Sequence, residues 1–338
     1  MLSFDQVRDM LVSSDAESCE RLRRAADDAR KTCVGDEVHI RGLLEISNHC
    51  RRDCMYCGLR RGNKKVPRYR MSDEEIIDVA ARLADSGIKT AVIQSGEDPA
   101  LNIVRVCRLV ERIKSSFDIA VTLSLGEYSR EDYASMRSAG ADRYLLRHET
   151  SDENLYAALH PDSSLANRLK CLEWIKDAGL QTGAGMMIGL PGQTIDSIAN
   201  DILYLKSFGV HMAGIGPFIP DPDTPLGNAA AGDFDLAMRT LAVARLTMPH
   251  LLIPATTATG VLRHGGRARA LQFGANVIMV NATPDSFREL YKIYPNKDRD
   301  EPYSEDPFKS ARDMILSEGR IVSEGYGHSP IIFGTRNE

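Results

Sequence analysis

Apolar residues recur in two rhythms along this chain. Beyond residue 37, short apolar runs that read as strands alternate with stretches in which apolar positions return every three or four residues, as on one helix face. The strand-like runs fall at 38–46, 90–94, 119–125, 143–146, 181–188, 212–215, 251–254 and 276–279. Helical periodicity occupies 72–86, 103–116, 130–139, 165–178, 195–208, 233–248 and 260–273, with a last helix near 307–318. Two helices precede the first strand: Ser3 with Gln6 is a capping-box signature, and residues 15–33 read as the second. Ser72 with Glu75 opens a later helix in the same way.

Eight strand-then-helix units in sequence predict a parallel sheet with right-handed crossovers, most simply closed as a (β/α)8 barrel; an open doubly wound sheet is the alternative. The organisation expected is a helical extension at 1–36, a barrel at 37–320 and a tail at 321–338. A barrel places its chemistry at the C-terminal ends of the strands.

Composition narrows the class. The chain has 338 residues, 43% hydrophobic and 26% charged, with a net charge of −5, so nothing draws it to nucleic acid or to an anionic membrane. The start of the chain lacks a secretory pattern, and no apolar run reaches the length of a membrane span. Seven cysteines, an odd number with three bunched together, fit a metal site in a reducing compartment, and the cytoplasm is expected. Arg51, Arg52, Arg60, Arg61, Lys64, Lys65, Arg68 and Arg70 crowd one short window. They read either as a solvated loop or as a docking face or favourable field for an anionic substrate.

The chemistry concentrates just after the first strand, where Cys50, Cys54 and Cys57 are spaced C-x3-C-x2-C in a polar loop. Three soft thiolates suit an iron–sulfur cluster; on a four-iron cube they leave one iron open to a small molecule. Zinc would need a fourth ligand, for which His49 is the neighbouring candidate, and Cys54 with Cys57 could form a dithiol pair. Strand two ends in Gln94-Ser95-Gly96-Glu97-Asp98, and residues 183–192 form a glycine-rich strand end.

The cysteine triplet, with Tyr56 just before the third cysteine, resembles the signature of the radical S-adenosylmethionine (SAM) superfamily. That resemblance implies a [4Fe–4S] cluster on Cys50, Cys54 and Cys57 and reductive cleavage of SAM to methionine and a 5′-deoxyadenosyl radical. Ser95, Gly96 and Glu97 are similar to the superfamily's Gly-Gly-Glu element, which holds the methionine amine, and residues 183–192 to the element lining the adenine site. Within the superfamily, residues 56–61, 94–99, 122–127, 143–150, 214–220 and 253–258 resemble HydE, the [FeFe]-hydrogenase maturase family. By position, the resemblance assigns Arg168 to the cofactor carboxylate and Glu149 to polar groups on its methionine or ribose side. Ser124, Tyr56, Tyr291 and Tyr294 join the same cofactor site. Gln94, Thr122, Arg147, Thr256, Thr257 and Met279 line a substrate cavity, while His148 is expected to point to the opposite face.

The substrate so implied is an iron–cysteine complex bearing carbonyl and cyanide. The partners implied are a reductant such as ferredoxin or flavodoxin and the other hydrogenase maturases, among them the tyrosine-cleaving enzyme and a scaffold GTPase. One departure stands out: the last cysteine is Cys171, so the second C-terminal cluster of many HydE proteins has no ligands here. A HydE-like paralogue acting on another small sulfur- or metal-containing substrate is the second reading. A carrier using the metal only structurally and a thiol–disulfide enzyme are the remaining ones.

Overall fold

A computed structural model describes residues 2–297 and 306–331. Eight parallel strands, β1 (Glu37–Ser47), β2 (Thr90–Ser95), β3 (Ala120–Ser124), β4 (Arg143–Leu145), β5 (Gln181–Ile188), β6 (Met212–Pro217), β7 (Pro254–Ala255) and β8 (Val277–Asn281), run in the order β6-β5-β4-β3-β2-β1-β8-β7. The β6–β7 seam is held by the single bridge Met212↔Leu252, which brings the sheet round to a nearly closed (β/α)8 barrel.

Side-chain alternation decides what lies inside. Along β1, Leu44 and Ile46 face outward into the apolar layer under the helices, which leaves Arg41, Leu43 and Glu45 on the inner face. The helices α3 (Asp73–Asp85), α4 (Ile103–Ser116), α5 (Arg130–Ser138), α7 (Leu165–Asp177), α8 (Ile195–Phe208) and α9 (Phe234–Thr247) cover that layer. On α3, Ile76, Val79, Ala80 and Leu83 form the buried stripe, with Ile76, Val79 and Leu83 each contributing about 1.5–3 kcal/mol when fully buried. Leu83 reaches the sheet because residue 42 is glycine; a Cβ there would lie 2.3 Å from Leu83 Cδ2. Both expected capping boxes are present, at Ser3–Gln6 on α1 (Phe4–Val12) and Ser72–Glu75 on α3. α1 and α2 (Ala16–Val34) pack on α8 and α9, with Val7 and Leu11 fully buried.

Four local departures have physical reasons. The run expected as a strand at 251–254 is observed at Pro254–Ala255, because the Ile253 amide donates to the Asn276 side chain at 2.9 Å instead of to a neighbouring strand. The helix expected at 260–273 is two: α10 (Thr257–Leu262) and α11 (Gly266–Gln272), separated at Gly265, which has φ +72°. A helix not expected, α6 (Glu153–Leu159), is capped by Asp152, and the short α12 (Asp285–Arg288) follows β8.

The fourth departure lies after α13 (Pro307–Ser317), where residues read as tail pack against the barrel. β9 (Ile321–Val322) pairs in parallel with Glu37 and Val38 of β1. The chain then crosses the N-terminal mouth of the barrel. Arg143 donates to the Tyr326 carbonyl at 2.6 Å and Arg41 to the Gly327 carbonyl at 3.0 Å. Both guanidinium groups are sealed inside. The expected tail residues 332–338 lie outside the described residues.

Candidate active site

At the opposite, C-terminal mouth, β1 runs into the cysteine loop. Asn48, fully buried, fixes its two ends: its amide donates to the Pro67 and Leu290 carbonyls, and its oxygen accepts the Tyr69 amide at 2.7 Å. Cys50, Cys54 and Cys57 sit half-buried on this loop, all free thiols. The Glu97 amide donates to Cys50 Sγ at 3.4 Å. That approach depends on Gly96, where a Cβ would lie 2.2 Å from the His49 carbonyl oxygen and 2.9 Å from Cys50 Cβ.

Burial raises all three thiols above their ordinary value. Burial, then the neighbouring Cys50, pushes Cys54 up to about 12, and burial with Cys54 and Cys50 moves Cys57 the same way. Such thiols ionise together only against a concentrated positive charge. Three soft donors on one loop, with the adjacent backbone cleared by a glycine, fit a [4Fe–4S] cluster.

A chain of charges runs from this loop into the barrel rim. Glu97 accepts Arg51 Nε at 2.7 Å and Arg52 Nε at 3.0 Å, so its carboxylate braces the cysteine loop from the end of β2. Arg52 Nη2 continues to Glu127 at 2.6 Å, and Glu127 pairs with Arg168 Nε of α7 at 2.8 Å. Asn167 adds a 2.7 Å hydrogen bond to the same carboxylate. Arg168 and Glu149 therefore have different partners: Arg147 Nη2 lies 3.2 Å from Glu149 Oε2. Glu149 has φ +67°, a backbone state that non-glycine residues avoid and that collects at functional sites.

The other expected residues also lie at this end or on the inner face. Gln94 Nε2 donates to the buried Tyr291 hydroxyl at 3.2 Å, and Ser95 Oγ to the Gly96 carbonyl. Ser124 is the last residue of β3, Thr256 stands at the N-terminal end of α10 with its side chain uncommitted, Thr257 begins that helix and Met279 lies in β8. Tyr294 is half-buried on the segment after α12. Thr122 Oγ1, Thr256 Oγ1 and Arg147 Nε are buried with no hydrogen-bond partner among the described residues. His148 points away from them, its ring sealed between β4 and the Asp201–Tyr204 face of α8.

Several participants were not singled out from sequence. Glu127 joins the rim through contacts between distant segments, and Arg52, read from sequence only as part of the basic window, meets it there. His160, just past α6, lies with Nε2 3.0 Å from the Tyr56 hydroxyl. Its Nδ1 is 3.0 Å from the Tyr156 carbonyl, which only accepts, so Nδ1 carries the hydrogen and Nε2 accepts from Tyr56. Asp152, a helix cap followed by Leu155 and Leu159, was the available signal for α6.

The barrel and its three-cysteine rim define the class, and residues 44–205 match the radical SAM superfamily. The chain is a radical SAM enzyme, with a [4Fe–4S] cluster and SAM as its cofactors. It is 51% identical to the [FeFe] hydrogenase maturase subunit HydE of Thermotoga maritima, over 86% of this chain and 83% of that protein, and it belongs to the HydE family. It is 28% identical to 3-methylornithine synthase of Methanosarcina acetivorans, over 88% of this chain and 84% of that one. A crystal structure of methylornithine synthase (PylB) superposes with a TM-score of 0.85 at 25% identity, covering 96% and 94% of the two chains. The maturase HydG of Carboxydothermus hydrogenoformans shares the fold with a TM-score of 0.81 at 21% identity, covering 95% and 76%. Among the described residues no helix is long and apolar enough to cross a membrane.

Proposed function

We propose that this protein acts in assembly of the [FeFe]-hydrogenase active site, as its HydE relative does. The observation that carries this reading is the convergence of family resemblance with buried polar atoms that nothing among the described residues satisfies. Thr122 Oγ1, Thr256 Oγ1 and Arg147 Nε are such atoms on the inner face. Buried polar groups normally find a partner, so these three await one from a bound molecule. A cation with two hydroxyls suits a small anionic substrate such as an iron–cysteine complex bearing carbonyl and cyanide. Gln94, Thr257 and Met279 complete its surround.

Cys50, Cys54 and Cys57 hold the cluster. When bound, the cluster and SAM supply a 5′-deoxyadenosyl radical and methionine, at the cost of one electron. Arg168, held by Glu127, faces the methionine carboxylate; Glu149 takes polar groups of the methionine or ribose. Ser95, Gly96 and Ser124 border the cofactor, and Glu97 keeps the cysteine loop against them. Tyr56, oriented by His160, packs against it, with Tyr291 and Tyr294 approaching from the eighth-strand side. The reductant is an external protein such as ferredoxin or flavodoxin, the tyrosine-cleaving maturase supplies the substrate, and a scaffold GTPase receives the product. The free thiols suit a reducing compartment such as the cytoplasm.

A second reading, a paralogue acting on another small sulfur- or metal-containing substrate, is favoured by the want of any cysteine after Cys171. One assay separates them: 5′-deoxyadenosine release by anaerobically reconstituted protein, with and without the iron–cysteine carbonyl–cyanide complex. Strong stimulation by the complex supports hydrogenase maturation. Release without stimulation moves the protein to the second reading, and no release at all overturns both.

A further inference from the structure

The basic window of the sequence folds into the outer face of the cysteine loop. The Arg61 amide donates to the Arg52 carbonyl at 2.8 Å, Gly62 to Asp53 Oδ1 at 2.8 Å, and the Arg61 side chain to the Arg51 carbonyl at 3.2 Å. Residues 60–62 thus lie directly against 51–53, over the stretch that carries Cys50 and Cys54.

The charges on this face are arranged asymmetrically. Arg51, Arg61 and Lys65 are 50, 58 and 75% exposed, while the acids they meet, Glu97, Asp162 and Asp223, are 8, 27 and 35% exposed. Lys64 is exposed as well. Carboxylates turned inward and cations turned outward present a positive field on a chain whose net charge is −5. No large exposed hydrophobic lies among these residues; Val12, Val104, Leu316, Ile321, Tyr326 and Ile331 are all elsewhere. A surface with charge and no apolar anchor suits brief, salt-sensitive encounters, as between redox proteins, and lacks the core of a lasting complex. It also lacks exposed aromatic rings on which nucleic-acid bases would stack.

We propose that this face docks a small acidic one-electron carrier protein, the reductant of the enzyme. The inference rests on the cluster assignment above and adds to it the place where the electron enters. The carrier loses one electron and the cluster site gains it; each SAM cleaved consumes one, with the S–C5′ bond broken and no proton transferred in that step.

The test uses cluster-loaded protein and the variant R61E/K64E/K65E, with an acidic bacterial two-[4Fe–4S] ferredoxin as the probe. Two quantities are measured from low to high salt: the rate at which reduced ferredoxin reduces the enzyme, and the affinity of oxidised ferredoxin by calorimetry. The wild-type rate should fall as salt rises, and at low salt the variant should be slower by about tenfold or more, with affinity weakened in parallel. Reduction by photoreduced 5-deazariboflavin, small and uncharged, should be equal in both. If R61E/K64E/K65E loses iron, the neutral variant R61Q/K64Q/K65Q carries the test and must show a flatter salt dependence than wild type. A wild-type rate indifferent to salt, or a variant reduced by ferredoxin as fast as wild type, overturns the proposal. Failure of the cluster assignment looks different: wild-type protein then cleaves no SAM with either donor, while ferredoxin binding is still read by calorimetry.

Discussion

Arg168 and Glu127 meet 2.8 Å apart with side chains only 12 and 4% exposed, and the same carboxylate holds Arg52 at 2.6 Å. A single buried anion therefore ties α7 to the cysteine loop. It fixes the arginine proposed to bind the cofactor relative to the loop proposed to carry the cluster.

Replacing Glu127 tests that coupling. Glu127→Ala leaves buried cations without their anion and should cost about 3–5 kcal/mol of stability, read from the urea midpoint. Glu127→Gln keeps the shape, and with it SAM affinity should weaken by about tenfold, equivalent to about 1.4 kcal/mol, with iron content unchanged. Wild-type affinity in Glu127→Gln would show that Arg168 is positioned by something else.

Gly96→Ala forces a methyl group to within 2.2 Å of the His49 carbonyl oxygen, a backbone atom with no room to yield. The expected result is poor iron loading in reconstitution, as the end of β2 and the cysteine loop are pushed apart. A variant that loads iron like wild type would contradict the close approach described for this position.

Thr122→Val removes a buried hydroxyl that has no partner among the described residues. Exchange for an isosteric methyl should leave stability equal or raise it by about 1 kcal/mol, since an unsatisfied group is lost. Substrate-dependent turnover should nevertheless fall. Destabilisation without any loss of turnover would assign the hydroxyl to the fold and not to the ligand.

Burial lowers the pKa of His160 from 6.5 to about 4, and burial acts the same way on His39 and His211. The unfolded chain takes up these protons near pH 6.5, whereas the folded chain resists until about pH 4. The unfolded state thus binds more protons in that window. Stability is complete above pH 6.5 and declines as pH falls toward 4. Urea midpoints at pH 7, 6 and 5 should decrease in that order, and His160→Asn should flatten the slope. Midpoints constant across this range would mean that these rings protonate without consequence for the fold.

Eight strand-then-helix units in order make the parallel sheet legible, with a barrel as its simplest closure and an open doubly wound sheet as the alternative; the bridge Met212↔Leu252 between β6 and β7 decides for the barrel. The cysteine loop was legible for another reason: its spacing lies within eight residues of contiguous sequence. Glu127 was not, since its role exists only through Arg52 and Arg168, brought to it by tertiary folding. The contacts of Tyr326 and Gly327 left no trace at all, because they are made by main-chain carbonyls that every residue possesses. Within the apolar run at 251–254, Leu252 and Pro254 pair with the neighbouring strands as expected, and only the Ile253 amide turns to a side chain, that of Asn276.

The closure of the N-terminal mouth sets an order of events during synthesis. Arg41 is made early, and the carbonyl that receives it belongs to a residue 286 positions later. A nascent chain can assemble its eight parallel strands and still hold two guanidinium groups at an open end until Gly327 has left the ribosome. The contact that closes this mouth is thus among the longest in sequence, and it can form only after every strand of the barrel has been made.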